Sequence, residues 1–188
     1  MSKKLDKILV IDVEATCWQG KNPAGEPNEI IEVGICVLET ATGERIAKDS
    51  IIIKPALSSV SDFCTELTTL TQADVDKGIS FKEACKKLKK EYLSQQYTWA
   101  SYGDYDRRQF ERECRSKSVG YPFGTSHINV KNLLALTQHW ETEVGMATAL
   151  DKLALPLEGT HHRGVDDAWN IAKILAGLIS QKNKIEKP

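Results

Sequence analysis

The sequence predicts an α/β fold, a single domain over residues 1–188 with a mixed five-stranded sheet flanked by helices. Three observations predict it. Three strand-like runs fall within residues 8–53, with connections that favour an antiparallel meander. Beyond residue 80, helix-like and strand-like stretches alternate, which builds a layered α/β sheet. The 188 residues contain no internal repeat, low-complexity tract or linker, so the length is that of one domain with a sizeable core.

The first strand is Ile8-Leu9-Val10-Ile11-Asp12-Val13-Glu14. Four apolar residues in a row, three of them β-branched, suit a strand buried on both faces. Side chains alternate along a strand, so Asp12 and Glu14 share a face, roughly 6–7 Å apart. Two like charges at the end of a buried strand repel and lose hydration, and a divalent cation removes that conflict. If the strand has already ended there, both carboxylates are simply solvated; the stretch alone leaves both readings open.

Trp18 to Asn28, with two prolines and two glycines, reads as a loop. Ile30–Leu38 and Ile46–Ile53 are the second and third strands, separated by a turn at Thr40–Glu44. Leu57–Thr71 reads as irregular with short helical turns. Ser80 and Glu83 form a capping box, and the helix behind it puts Phe81, Ala84, Cys85, Leu88 and Tyr92 on one face. Lys82, Lys86, Lys87, Lys89 and Lys90 occupy the other, which is expected to be a solvated face. Tyr97–Tyr102 is a fourth strand, followed by a helix from Asp104 or Asp106 to Lys117. Ser126–Asn129 is a short fifth strand; Val130–His139, Met146–Leu155 and Val165–Ser180 are helices, and the tail Gln181–Pro188 is expected to fray.

Composition narrows the function classes. The apolar fraction of 41% and charged fraction of 27% are those of a soluble globular protein. The net charge of −1 gives no global basic field, so binding to a polyanion would rest on a local patch. No apolar run approaches the roughly 18 residues of a membrane span, and Met1-Ser2-Lys3-Lys4 leads into a strand rather than a signal peptide. Five widely spaced cysteines (Cys17, Cys36, Cys64, Cys85, Cys114), odd in number and without a C-x-x-C, fit a reduced, cytoplasmic setting.

Two further acidic clusters carry chemistry. After the fourth strand, Asp106 shares a helical face with Phe110, whereas Asp104 falls opposite and suits an N-cap. In the last helix the apolar set is Ala168, Ile171, Ala172, Ile174, Leu175, Leu178 and Ile179. At about 3.6 residues per turn, Asp167 lies at the edge of that stripe and Asp166 outside it, beside Asn170 and Lys173. His162, five residues before Asp167, is a loop histidine that becomes a candidate base beside an acidic cluster.

These motifs, D-x-E, D-x-x-x-F and H-x-x-x-x-D in that order, resemble the DEDDh exonucleases of the ribonuclease H-like fold. The resemblance is closest to the enhanced-RNAi (ERI-1) type of 3′ exoribonuclease, a group with Snipper-like and bacterial KapD-like members. It extends through Ile11–Cys17, Glu29–Glu32, Ser61–Thr68, Leu70–Gln72 and His162–Ala172, and covers residues 6 to 180. The family's acidic quartet then falls on Asp12, Glu14, Asp106 and Asp167, and its histidine on His162. Helical phase had independently preferred Asp106 and Asp167; the doublets His161-His162 and Asp166-Asp167 keep a register ambiguity. Relatives usually carry glycine at the position of Thr69, and a β-branched residue resists positive φ, so a different local loop is expected. Some animal relatives carry an extra amino-terminal nucleic-acid-binding region with no counterpart in these 188 residues, so recognition of a structured RNA is not expected.

The resemblance implies a metal-dependent 3′-5′ exonuclease that releases nucleoside 5′-monophosphates from single-stranded nucleic acid with a free 3′ end, RNA ahead of DNA. It implies two divalent cations, Mg²⁺ or Mn²⁺, on Asp12, Glu14, Asp106 and Asp167, with His162 as general base. It also implies that Ala15, Thr16 and Cys17, through their backbone, and Trp18, Phe63 and Leu67, through their side chains, hold the last nucleotide. Taken singly, those apolar residues read as ordinary core. Two competing readings are a ribonuclease H-like endonuclease and a non-catalytic RNA-binding module. The H-x-x-x-x-D motif opposes the first, and the complete set of five catalytic candidates opposes the second.

Overall fold

A computed structural model describes residues 4–180. In chain order the elements are β1 (Lys4–Ala15), β2 (Ile30–Glu39), β3 (Arg45–Ile52), α1 (Asp62–Thr68), α2 (Gln72–Val75), α3 (Phe81–Glu91), β4 (Tyr97–Ser101), α4 (Tyr105–Ser116), β5 (His127–Asn129), α5 (Val130–Thr137), α6 (Met146–Lys152) and α7 (Gly164–Ser180). The sheet order is β3-β2-β1-β4-β5. β1 pairs antiparallel with β2, and β2 with β3, while β1–β4 and β4–β5 are parallel. This is a mixed five-stranded sheet flanked by helices, the ribonuclease H-like arrangement. The tail Gln181–Pro188 lies outside the described residues.

β1 is central, and alternation divides its side chains between two cores. Leu9, Ile11 and Val13 pack with Phe81 and Leu88 of α3 and Phe110 of α4. Ile8 and Val10 pack with Leu134, Leu150, Ile171 and Leu175 of α5, α6 and α7. Asp12 and Glu14 continue the second face, so the acidic residues point to the side covered by α7. β1 begins earlier than its apolar run because Lys4 pairs with Tyr97 of β4, a backbone contact that hydrophobicity does not report.

α7 reaches the sheet through a close backbone approach at a pair of glycines. Gly34 of β2 faces Gly164, and a Cβ at Gly34 would lie 1.9 Å from the Gly164 carbonyl carbon. Gly34 is the cross-strand partner of Asp12, so this contact seats α7 over the acidic end of β1. Gly34→Ala is expected to cost about 3 kcal/mol through overpacking that no rotamer can relieve. For a domain of this size that lowers Tm by about 6–12 °C, which thermal denaturation by circular dichroism would measure.

Three expectations change in the structure. Leu57–Thr71 is more ordered than its composition indicates: Ser61 accepts the Cys64 N–H and starts α1, which runs seven residues. Thr69, expected to avoid positive φ, adopts φ 64° as the C-cap of α1, with its N–H on Thr65 O and its hydroxyl taking a bond from Arg163. The turn typical of glycine is thus kept by a β-branched residue, its strain offset by those two bonds. On α3, the capping box forms and Lys82, Lys86 and Lys90 are exposed, but Lys89 folds back to donate to Gly120 O at 2.9 Å and Lys87 pairs with Glu91 at 3.4 Å.

Candidate active site

The site forms where β1 outruns its parallel neighbour. β4 pairs with β1 only as far as Val10, so the Val13 N–H has no strand partner on that side. Asp106, in the first turn of α4, fills the gap by accepting that N–H at 2.9 Å. This bond fixes Asp106 beside Asp12 and Glu14, and Asp106 is 4% exposed. Asp104 occupies the N-cap position of α4 but makes no side-chain cap bond there. It pairs with Arg107 and Arg108 instead.

α7 supplies the fourth carboxylate. Asp167 is 4% exposed, and one oxygen of each of Asp12, Glu14 and Asp167 lies within 4.8 Å of the others. Asp166 turns away, accepting from Lys48 at 2.5 Å and from the Thr160 N–H at 2.9 Å. Both histidines are nearby. His161 Nδ1 lies 3.0 Å from Asp167, the His162 N–H donates to the same carboxylate at 2.9 Å, and the two rings stack at 3.9 Å. His162 has φ 64°, in the left-handed region that is uncommon for residues other than glycine.

The electrostatics are those of crowded anions. Burial, followed by Asp106 and Glu14, holds the Asp12 carboxyl well above the usual range. Burial, followed by Asp167 and Glu32, pushes Glu14 up to about 8. Burial raises Asp106 to about 6 against the pull of the Val13 N–H. Asp167 is also raised by burial, with His161 opposing. Burial and the neighbouring His161 lower His162, which favours its neutral form. Asp12, Glu14 and Asp167 bring hard, anionic oxygen donors within 4.8 Å of one another, with Asp106 in the same cleft, a donor set that fits a divalent cation.

A cleft of about 370 Å³ exposes this cluster. All five sequence-derived catalytic candidates line it: Asp12, Glu14, Asp106, His162 and Asp167. His161, the alternative in the histidine doublet, lines it too, as do Tyr102, Tyr105, Lys131 and Met146, which the sequence reading does not single out. Tyr105, 54% exposed and adjacent to Asp106, was visible as an aromatic flanking a candidate acid; nothing in the sequence marks Lys131.

None of Ala15, Thr16, Cys17, Trp18, Phe63 and Leu67 lines the carboxylate cleft. Thr16 is spent on structure: its N–H donates to Glu29 O at 2.9 Å and its hydroxyl accepts the Glu29 N–H at 2.9 Å. The Ala15 and Cys17 carbonyls accept from Cys64 Sγ and Ser61 Oγ, and Cys17 packs against the small core of Ile31, Cys64, Leu70 and Val75. Trp18 and Leu67 are half-buried, and Phe63, 37% exposed on α1, is not core.

Comparison with known proteins identifies the family. The model of the exonuclease family (RNase_T) matches residues 9–175. Human 3′-5′ exoribonuclease 1 is 31% identical over 184 residues, covering 93% of this chain and 52% of its own length. The chain therefore spans about half of that relative. The probable 3′-5′ exonuclease KapD of Bacillus subtilis is 26% identical, covering 97% of this chain and 89% of its own. Among solved structures, the nuclease domain of 3′hExo, described as a DEDDh family member bound to rAMP, superposes with a TM-score of 0.80 at 30% identity, covering 95% of this chain and 94% of that one. By family model, sequence and fold together, this chain belongs to the exonuclease family, within its DEDDh group.

Proposed function

We propose that the protein is a metal-dependent 3′-5′ exonuclease that shortens single-stranded nucleic acid from a free 3′ end, RNA in preference to DNA. The observation that carries the reading is the convergence of Asp12, Glu14, Asp106 and Asp167, from three separate elements, on one cleft that His162 also lines. Asp12 would hold both of two divalent cations, Mg²⁺ or Mn²⁺, with Glu14 and Asp167 completing one site and Asp106 the other. When bound, such cations lower the pKa of water and offset charge on the phosphodiester oxygens. His162, kept neutral by burial, is suited to take the proton of the attacking water. Water adds to phosphorus, the bond from phosphorus to the 3′ oxygen of the penultimate nucleotide breaks, and a nucleoside 5′-monophosphate leaves. The rAMP bound to the 30%-identical 3′hExo nuclease domain supports the preference for a ribonucleotide 3′ end. Five free thiols support a reducing, cytoplasmic setting.

The test is product identity from matched strands. A free 3′ end should yield nucleoside 5′-monophosphates, and the same strand blocked at its 3′ end should survive. Internal fragments would indicate an endonuclease, and tight binding without products a non-catalytic module.

The α3 lysines bear on how the strand is held. Two of the five already serve structural contacts, and none lines the acidic cleft. Replacing Lys82, Lys86, Lys87, Lys89 and Lys90 by glutamine should change kcat/KM less than about tenfold, or about 1.4 kcal/mol. A larger loss with a flatter salt dependence would show that this face tracks phosphates.

A further inference from the structure

Glu32 is the most conspicuous charge outside the catalytic set. It sits on β2 between Ile31 and Val33, and all three are 0% exposed. A carboxylate there loses its hydration, and an apolar residue of similar size would satisfy packing at lower cost. Its oxygens are fully engaged. They accept from Ser50 Oγ at 2.6 Å, the Gly164 N–H at 3.0 Å, and Arg163 Nε and Nη2 at 3.2 and 3.4 Å.

Two of these partners lie in the turn that enters α7. Arg163 and Gly164 immediately follow His162, and Asp167 stands three residues further on. That turn contains the left-handed backbone of His162, which persists only if its surroundings over-determine it. Asp167 ties one side of the turn through the His162 N–H, and Glu32 ties the other through Gly164 and Arg163. Glu32 is also the cross-strand partner of Glu14, which anchors this clamp to the strand pair carrying the acidic cluster.

We propose that Glu32 is a positioning residue: by gripping Arg163 and the Gly164 N–H from β2, it holds the His162–Asp167 turn in the geometry the reaction uses. The kinetic part rests on the exonuclease reading; the positional part rests on the contacts alone.

The experiment is a double-mutant cycle joined to hydrogen exchange. Glu32→Gln preserves shape but loses the charge that grips Arg163. It should lower kcat about 10–100-fold, the scale of a misplaced reacting group, with KM within about threefold. In a His162→Ala background the same change should cost less than it does in the wild type, because one of the two groups carried by the turn is already gone. Exchange should accelerate at residues 161–164 while Ile171–Leu178 stays protected. Should Glu32→Gln fail to fold, Arg163→Lys replaces it, retaining the charge but not the fork, with the same non-additivity expected. Full kcat in a folded variant, an equal loss in the His162→Ala background, or unchanged exchange at 161–164 would overturn the proposal. The exchange measurement needs no substrate, so an inactive wild type would sink the exonuclease reading while leaving positioning to be decided by exchange.

Discussion

Asp167→Asn should abolish activity, by about 10⁴-fold or more, the scale reached when one member of a catalytic unit is removed. Asparagine still accepts the His162 N–H, so the turn keeps its bond. What disappears is an anionic oxygen within 4.8 Å of Asp12 and Glu14, and with it part of the donor set for a cation. Affinity for Mn²⁺, measured by calorimetry, should fall with the rate. The same substitution removes a like charge from a buried cluster, so Tm should hold or rise. Asp166→Asn should do neither, because Asp166 is engaged with Lys48 and the Thr160 N–H. An inactive Asp166→Asn beside an active Asp167→Asn would show that the register is wrong.

His162→Ala is the second large effect. It should lose about 10²–10⁴-fold in kcat, the usual contribution of a general base, while the four carboxylates bind Mn²⁺ almost normally. Because His162 has positive φ, His162→Asn is the better-tolerated companion, and the two should lose rate alike. His161→Ala should be milder, less than about tenfold, since the ring of His161 contacts Asp167, a carboxylate that a bound cation would engage. Full rate in His162→Ala would mean that water needs no protein base, and the role of His162 would fall even with the metal site intact.

How far these residues can be read without coordinates depends on periodicity. Strand alternation puts Asp12 and Glu14 on one face, and the structure continues the Ile8–Val10 face into them. Helical phase puts Asp167 on the apolar side of α7 and Asp166 off it, and that is where they sit. Both inferences use only local geometry, which the chain states directly. Long-range backbone partnerships are not stated in this way. The Val13 N–H that orients Asp106 is free because the β1–β4 pairing stops at Val10, and its acceptor lies 93 residues further along the chain. The pair of bonds between Thr16 and Glu29 is likewise invisible in sequence. Lys131 lines the cleft from the first turn of α5, a placement that only the packed fold creates. Thr69 and His162 both hold positive φ against their intrinsic preference, and tertiary contacts through Arg163 and Asp167 override it.

The central claim is that the carboxylate cluster works as a metal-dependent site acting from the 3′ end. A time course on 5′-labelled single-stranded RNA, run with Mg²⁺, with Mn²⁺ and with chelator, tests it most directly. The expected result is a ladder that shortens one nucleotide at a time from the 3′ end with either cation and stops on chelation. Cleavage that persists in chelator, or that begins at internal positions, would contradict it.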